Sequence, residues 1–98
     1  MKENKLIAEF EQLPTEVFKP NDIMNYHHDG AWYEEHELSY EKSWDWLIPV
    51  VDKCFQEEGK HYLINDALLT INIDEVYEAV VKFIKEYNKV KRNELQGL

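Results

Sequence analysis

A long apolar stripe near the C-terminus is the feature that most limits how this chain can fold. Its members recur at the spacing of one face of an α-helix. Asn72 precedes the stripe and Glu75 follows three residues later, which is the pattern of a capping box at a helix start. A helix with one apolar face must bury that face against other elements, so we expect a packed core. The stripe comprises Ile73, Val76, Tyr77, Val80, Ile84 and Tyr87.

Two earlier stretches also predict amphipathic helices. Apolar residues at helical spacing run from Leu6 to Leu13, and Pro14 ends that pattern. A second helix is predicted to begin at Ser43, whose hydroxyl can cap it, and to close at Gly59. Pro49 lacks the N–H of a regular helix, which predicts an irregular first turn or a kink. The predicted apolar face of this second helix comprises Trp44, Leu47, Ile48, Val51 and Phe55.

An acidic stretch between these two helices predicts a β-hairpin. Asp29-Gly30 can adopt the positive φ angles of a two-residue turn. The flanking segments, Ile23–His28 and Ala31–Tyr40, are therefore predicted to be antiparallel strands.

A second hairpin is predicted after Gly59. Asn65-Asp66 tolerates the left-handed conformation of a tight turn, and Tyr62–Ile64 and Ala67–Ile71 flank it. One helical turn through Asn65–Leu69 is the alternative. With the hairpin, the fold class is α+β: three helices packed on a small antiparallel sheet, in the order α-β-β-α-β-β-α.

Length and composition indicate one cytoplasmic domain. A chain of 98 residues supports a single modest core, so residues 1–98 form one unit. Its apolar runs are shorter than the roughly 18 residues of a membrane helix, and the N-terminus has no secretory pattern. We therefore expect no membrane association and a location in the cytoplasm of a bacterial host. Cys54 is the one cysteine, which excludes an internal disulfide and suits a reducing compartment.

Charge is distributed unevenly along the chain. Residues 1–78 carry 18 acidic and six basic side chains, a net charge of −12, whereas residues 79–98 carry a net charge of +3. The predicted hairpin region, about residues 20–41, holds six acids and three histidines and lacks lysine and arginine. Five basic residues gather in the last helix, about residues 82–92. Direct nucleic-acid binding is not expected, because phosphate contacts need a basic surface.

Three blocks of the chain together are similar to a known family. They are NKLIAEF at Asn4–Phe10, YEKSWDWLIPVVDK at Tyr40–Lys53 and EVYEAVVKFIKEYN at Glu75–Asn88. They resemble a family of small uncharacterised proteins encoded by phages and genomes of the Bacteroidota. Members commonly have methionine where Ile48 stands and tryptophan where Glu86 stands. The resemblance implies an origin in mobile elements and a role in phage–host conflict, and it implies no catalytic residue.

Enzymatic chemistry finds little support in the sequence. His27-His28-Asp29 could face the cluster at residues 34–37 across the predicted hairpin and supply ligands for a divalent ion. The spacing matches no established metal motif, so no metal or other cofactor is expected, although a metal-dependent enzyme using this hairpin is a third alternative. A phosphate-binding glycine loop and a recognisable nucleophile are both absent from the sequence. We therefore expect a protein that is not an enzyme.

The expected function is protein binding. Acidic surface on the hairpin could imitate a phosphate backbone and occupy the basic groove of a host protein, such as a nuclease or CRISPR effector. That is the action of a small phage-type inhibitor, an anti-CRISPR for example. A self-associating structural protein, with a homodimer as its form, is the alternative. The predicted partner-binding residues are Asp29, Trp32, Tyr33, Glu34, Glu35, Glu37, Glu41 and Trp46. Trp46 lies off the main apolar stripe of its helix, and packing under the hairpin is the favoured interpretation of its place.

Overall fold

The computed structural model describes residues 3–96 and is α+β, as predicted, with four α-helices and one three-stranded antiparallel sheet. The order is α-β-β-β-α-α-α, with a short 3-10 helix after the third strand, and it therefore differs from the predicted order. The elements are α1 (Asn4–Glu11), β1 (Thr15–Phe18), β2 (Ile23–His28), β3 (Ala31–Glu34), the 3-10 helix (Glu35–Glu37), α2 (Trp44–Gln56), α3 (Tyr62–Leu68) and α4 (Ile73–Gln96).

Helix α4 is the centre of the core, because α1, α2 and α3 all pack against it. Half of the predicted capping box is present: the side-chain oxygen Oδ1 of Asn72 accepts hydrogen bonds from the backbone N–H groups of Asp74 and Glu75, at 2.9 and 3.3 Å. The Asn72 N–H donates to Thr70 Oγ1 at 3.2 Å instead of to the Glu75 side chain. Val76, Val80 and Ile84 of the predicted stripe are fully buried.

Helix α2 confirms the predicted start and corrects the predicted face. Ser43 occupies the N-cap position, but its hydroxyl makes no capping hydrogen bond. The buried residues are Leu47, Val50, Val51 and Cys54, which recur at helical spacing. Ile48 is exposed, so its predicted place on the core face is wrong. The helix continues through Pro49, which lies on the exposed side, where water can reach the carbonyl that loses its N–H donor.

The predicted second hairpin is wrong, and the helical alternative describes this segment correctly. Asn65-Asp66 lies inside α3 rather than in a turn. Ile64 and Ala67, three residues apart, are buried in the core, and α3 packs on α4. That contact stabilises the helix and outweighs the local preference of Asn-Asp for a turn. Leu69 and Ile71, predicted to lie in a strand, are both 83% exposed in the connection to α4, and Ile71 has a φ of 53°.

The predicted first hairpin is present, with one strand shorter than expected. Strand β2 has the predicted bounds, and Asp29 and Gly30 have φ angles of 49° and 87°, as the turn requires. Strand β3 ends at Glu34 instead of Tyr40, because the chain turns into the 3-10 helix. Strand β1, which was not predicted, pairs with β2 and gives the sheet order β1-β2-β3.

The loop between α2 and α3 is held tightly against the core at Gly59. A Cβ atom built on Gly59 would lie 2.5 Å from Cε2 of Phe83, a fully buried ring of α4. The ring of His61 stacks on the same Phe83 ring, with 5.6 Å between centroids. Glycine therefore allows the loop to approach α4 more closely than any other residue could.

Candidate binding surface

The two faces of the sheet differ in what covers them. Side chains alternate between faces along a strand, and the strand register groups them. Tyr26 is opposite Tyr33 on one face, which we call the inner face because helix α2 covers it. Asn25 is opposite Glu16 on β1 and Glu34 on β3, on the other face, which we call the outer face.

The inner face belongs to the scaffold. His28 stacks on Trp46 of α2, with 3.8 Å between ring centroids and 7° between planes. Tyr33 and Tyr40 meet the same indole edge to face, at 5.1 and 5.4 Å. Burial raises the pKa of the Tyr26 phenol on this face, and the nearby carboxylates of Glu35 and Glu9 add to the shift. Trp46 therefore joins the sheet to the helical core.

The outer face carries an apolar patch formed by Phe18, Ile23 and Trp32. These side chains are 39%, 39% and 38% exposed. The rings of Phe18 and Trp32 meet edge to face at 5.3 Å, and the ring of His27 meets Trp32 at 5.0 Å. Asn25 lies on the same face between the positions of these two rings, and its burial follows from their approach. We call Phe18, Ile23 and Trp32, with Asn25 beneath them, the outer patch.

Acidic side chains lie beside the outer patch, and we call them the acidic rim. Glu16 and Glu34 lie on the outer face itself, in one row with Asn25. Asp29 is exposed in the β2–β3 turn, and Glu35 and Glu37 are exposed in the 3-10 helix at the end of β3. An apolar centre with a charged rim is the usual anatomy of a protein-binding surface.

The structure brings some of the predicted site residues together and separates others. Trp32 and Glu34 lie on the outer face, whereas Tyr33 and Trp46 lie on the inner side of the sheet. Glu41 is half-buried, and its Oε2 accepts a hydrogen bond from Asn4 Nδ2 at 2.7 Å. Asp29, Glu35 and Glu37 are exposed at the margin of the sheet.

The residues that sequence reasoning missed are on β1 and at the start of β2. Phe18 and Ile23 form half of the outer patch, and Glu16 forms part of its rim. Val17-Phe18, a β-branched and an aromatic residue between two prolines, is the signal that could have indicated an edge strand there.

The histidines of the predicted metal cluster point away from one another. His27 lies on the outer face and His28 on the inner face, because they are adjacent in β2. Within the described residues, the trio that could hold a metal is Glu34, His36 and Glu37, whose ligand atoms lie within 4.8 Å of one another. Oε1 of Glu37 already accepts a hydrogen bond from the Glu34 N–H, at 2.9 Å.

A surface cavity lies at the C-terminal end of α2, whereas Trp46 and its contacts with the sheet lie near the N-terminal end of that helix. It has a volume of about 430 Å³ and is formed by the α2–α3 loop and the second half of α4, including Gly59, Glu86 and Tyr87. Cys54 lies outside its lining, and burial raises the pKa of that thiol to about 12. The thiolate form that a nucleophile needs is therefore disfavoured.

The comparisons with known proteins return no family model, no curated protein and no solved structure that matches the chain. Among the described helices, none is both long enough and apolar enough to cross a bilayer.

Proposed function

We propose that this chain is a protein-binding inhibitor that docks its outer patch and acidic rim on a basic surface of a host protein. A nuclease or CRISPR effector is the class of partner that the acidic charge and the mobile-element resemblance favour. One observation carries the proposal: three large apolar side chains lie together on the uncovered face of the sheet, with the carboxylates of Glu16 and Glu34 on the same face.

The outer patch supplies the anchor. Trp32 and Phe18 hold each other in place by their edge-to-face contact, so little side-chain entropy is lost when a partner covers them. Tryptophan is among the residues that contribute most binding energy at protein interfaces. On the inner face, Trp46 already covers His28 and Tyr33, so the large aromatic surface left open to a partner is on the outer face.

The acidic rim supplies selectivity and speed. The chain has a net charge of −9, and Glu16 and Glu34 place negative charge beside the outer patch. A basic partner is therefore attracted before contact, whereas a second copy presenting the same face is repelled. Charge favours a different protein over the homodimer as the occupant of this face.

The test compares two exposed apolar positions. Purified chain is immobilised and a host lysate passed over it, with Trp32→Ser and Leu69→Ser as variants. Leu69 is the more exposed of the two and lies in the α3–α4 connection. We expect Trp32→Ser to lose the specifically retained protein and Leu69→Ser to keep it. Equal retention by Trp32→Ser and the unmodified chain would contradict the proposal.

Salt tests the electrostatic part separately. Between about 0.1 M and about 1 M salt, the Debye length falls from about 10 Å to about 3 Å. The association rate with the retained protein is expected to fall as salt rises. The double variant Glu16→Gln, Glu34→Gln should bind more slowly at low salt and depend less on salt. An association rate that is the same at both salt concentrations would refute electrostatic attraction.

The inhibitory part needs its own measurement. If the retained protein is a nuclease, its cleavage rate should fall when the chain is added and recover with Trp32→Ser. If the activity of the retained protein is unchanged, the chain is a binding protein, and the proposal that it inhibits its partner is refuted.

A further inference from the structure

Strand β1 leaves one edge of the sheet open. In an antiparallel pair, every second residue directs its backbone N–H and C=O at the neighbouring strand. The N–H of His27 donates to the carbonyl of Pro14 at 2.8 Å, which sets the alternation. Glu16 and Phe18 therefore bond to β2, and the backbone groups of Thr15 and Val17 point away from the sheet.

These outward groups are accessible. All four residues of β1 are exposed, and none of the hydrogen bonds found in residues 3–92 involves the N–H or C=O of Thr15 or Val17 on that side. An edge of this kind can pair with another extended chain.

The opposite edge of the sheet is capped at one of its two outward-facing residues. In β3, the residues whose backbone points outward are Trp32 and Glu34, since Tyr33 pairs with Tyr26. The Glu34 N–H donates to the Glu37 carboxylate at 2.9 Å, as part of the capping box of the 3-10 helix. A strand arriving there would have to displace a carboxylate from its hydrogen bond. The edge of β1 has no such cap.

Apolar side chains lie on both sides of the open edge. Val17 and Met24 are opposite each other on the inner side, beyond the part of the sheet that Trp46 covers, and both are exposed. Phe18 and Ile23 are opposite each other on the outer face and belong to the outer patch. A strand added beside β1 would cover apolar surface on both faces at once.

We propose that the β1 edge binds an extended segment of a protein partner, with apolar and basic side chains alternating along it. The segment pairs with the N–H and C=O groups of Thr15 and Val17, and its basic side chains lie on the outer face beside Glu16. Pro14 and Pro20 bracket the strand, so the paired length is about that of the four residues of β1. The inference rests on the proposed function, since it names the form in which the basic partner is recognised.

The test uses amide hydrogen exchange with a defined probe. In the free protein, the N–H groups of Glu16 and Phe18 should exchange slowly, and those of Thr15 and Val17 rapidly. A blocked peptide of alternating lysine and valine is then titrated in. At nine-tenths occupancy, exchange at Thr15 and Val17 should slow about tenfold, because only the free tenth of the protein exchanges.

Two control peptides and one protein variant isolate the edge. The same peptide with N-methyl groups on its valines loses the donors that pair with β1, and it should protect neither amide. A peptide with glutamate in place of lysine should also fail, because Glu16 repels it. Val17→Pro removes one outward N–H while leaving the bonds to β2 in place, and this variant should not bind the lysine–valine peptide. The N-methylated peptide keeps the test decisive if that variant does not fold.

Three outcomes would overturn the inference. One is binding of the N-methylated peptide as strongly as the unmodified one. Another is protection of the Thr15 and Val17 amides in the absence of peptide that increases with protein concentration, which would assign the edge to a second copy. The third is peptide binding that perturbs Trp32 without protecting Thr15 or Val17; this result refutes edge pairing and leaves the proposed function standing. Failure of the proposed function is recognised differently, by retention of the host partner on Trp32→Ser.

Discussion

Replacing Asn4 should destabilise the protein more than replacing any exposed polar residue. Its side chain is 3% exposed and connects three parts of the chain. Nδ2 donates to the Leu38 carbonyl at 2.9 Å and to Glu41 Oε2 at 2.7 Å, and Oδ1 accepts a hydrogen bond from the Tyr77 hydroxyl at 2.9 Å. Helix α1, the segment before α2, and α4 are thus joined through one amide.

The expected magnitude follows from these contacts. Asn4→Leu removes three hydrogen bonds and leaves their partners in a buried setting. A neutral bond contributes about 1 kcal/mol and one to a charged group about 1.5–3 kcal/mol. The added apolar surface offsets part of this loss. We expect the free energy of unfolding to fall by about 3–4 kcal/mol.

Urea denaturation followed by circular dichroism measures that change, and Lys5→Leu is the matched control. Lys5 is the exposed neighbour of Asn4 on the same helix, so its replacement should change the free energy of unfolding by less than about 0.5 kcal/mol. In a double-mutant cycle with Tyr77→Phe, the coupling energy should be about 1 kcal/mol. A loss below about 1 kcal/mol for Asn4→Leu would refute the reasoning that this amide joins the three segments.

Four further predictions test other parts of the structure. In thermal unfolding, Trp46→Ala should cost about 3–5 kcal/mol as a half-buried residue that joins sheet to core, whereas Trp32→Ala should cost about 1 kcal/mol; equal losses would contradict the division into inner and outer faces. Gly59→Ala should cost about 1–3 kcal/mol in urea, because its Cβ would meet a buried ring at 2.5 Å. Ile71→Gly should raise the midpoint of urea denaturation, because it relieves the backbone strain of a β-branched residue in the left-handed conformation, about 1 kcal/mol. A lower midpoint would refute that strain. Burial raises the pKa of the Cys54 thiol from 9.0 to about 12. Because the thiol of the unfolded state loses its proton first, its contribution to the free energy of unfolding falls as pH rises from 9.0 toward 12. In a pH series, the free energy of unfolding of Cys54→Ala should therefore fall less steeply over this range.

Part of the fold was predictable because the signal was local. Asp29-Gly30 determines a two-residue turn, so the end of β2 at His28 follows from the turn. The N-cap residue Asn72 and the apolar stripe behind it similarly identify α4. Strand β1 gave only the weaker signal of Val17-Phe18 between two prolines, because all of its side chains are exposed and no alternation marks a buried face. Helix α3 was misassigned because contacts with α4 decide its conformation, and those contacts are distant in sequence.

The candidate site shows the same limit. Trp32 and Glu34 were predicted from composition, and they do share the outer face. Their neighbour Phe18 could not be found, because Phe18 and Trp32 come together only when β1 and β3 both pair with β2. Trp46 was predicted both as a packed residue and as part of the binding set, and its contacts with His28 and Tyr33 place it in the scaffold.

The alternation along β3 has a consequence for how the protein can evolve. Ala31 and Tyr33 face the helices, and Trp32 and Glu34 face solvent, so neighbouring codons serve separate purposes. Under the proposed function, mutations at the solvent-facing positions would alter recognition while the scaffold stays folded. New targets would then be reached at little cost to the architecture.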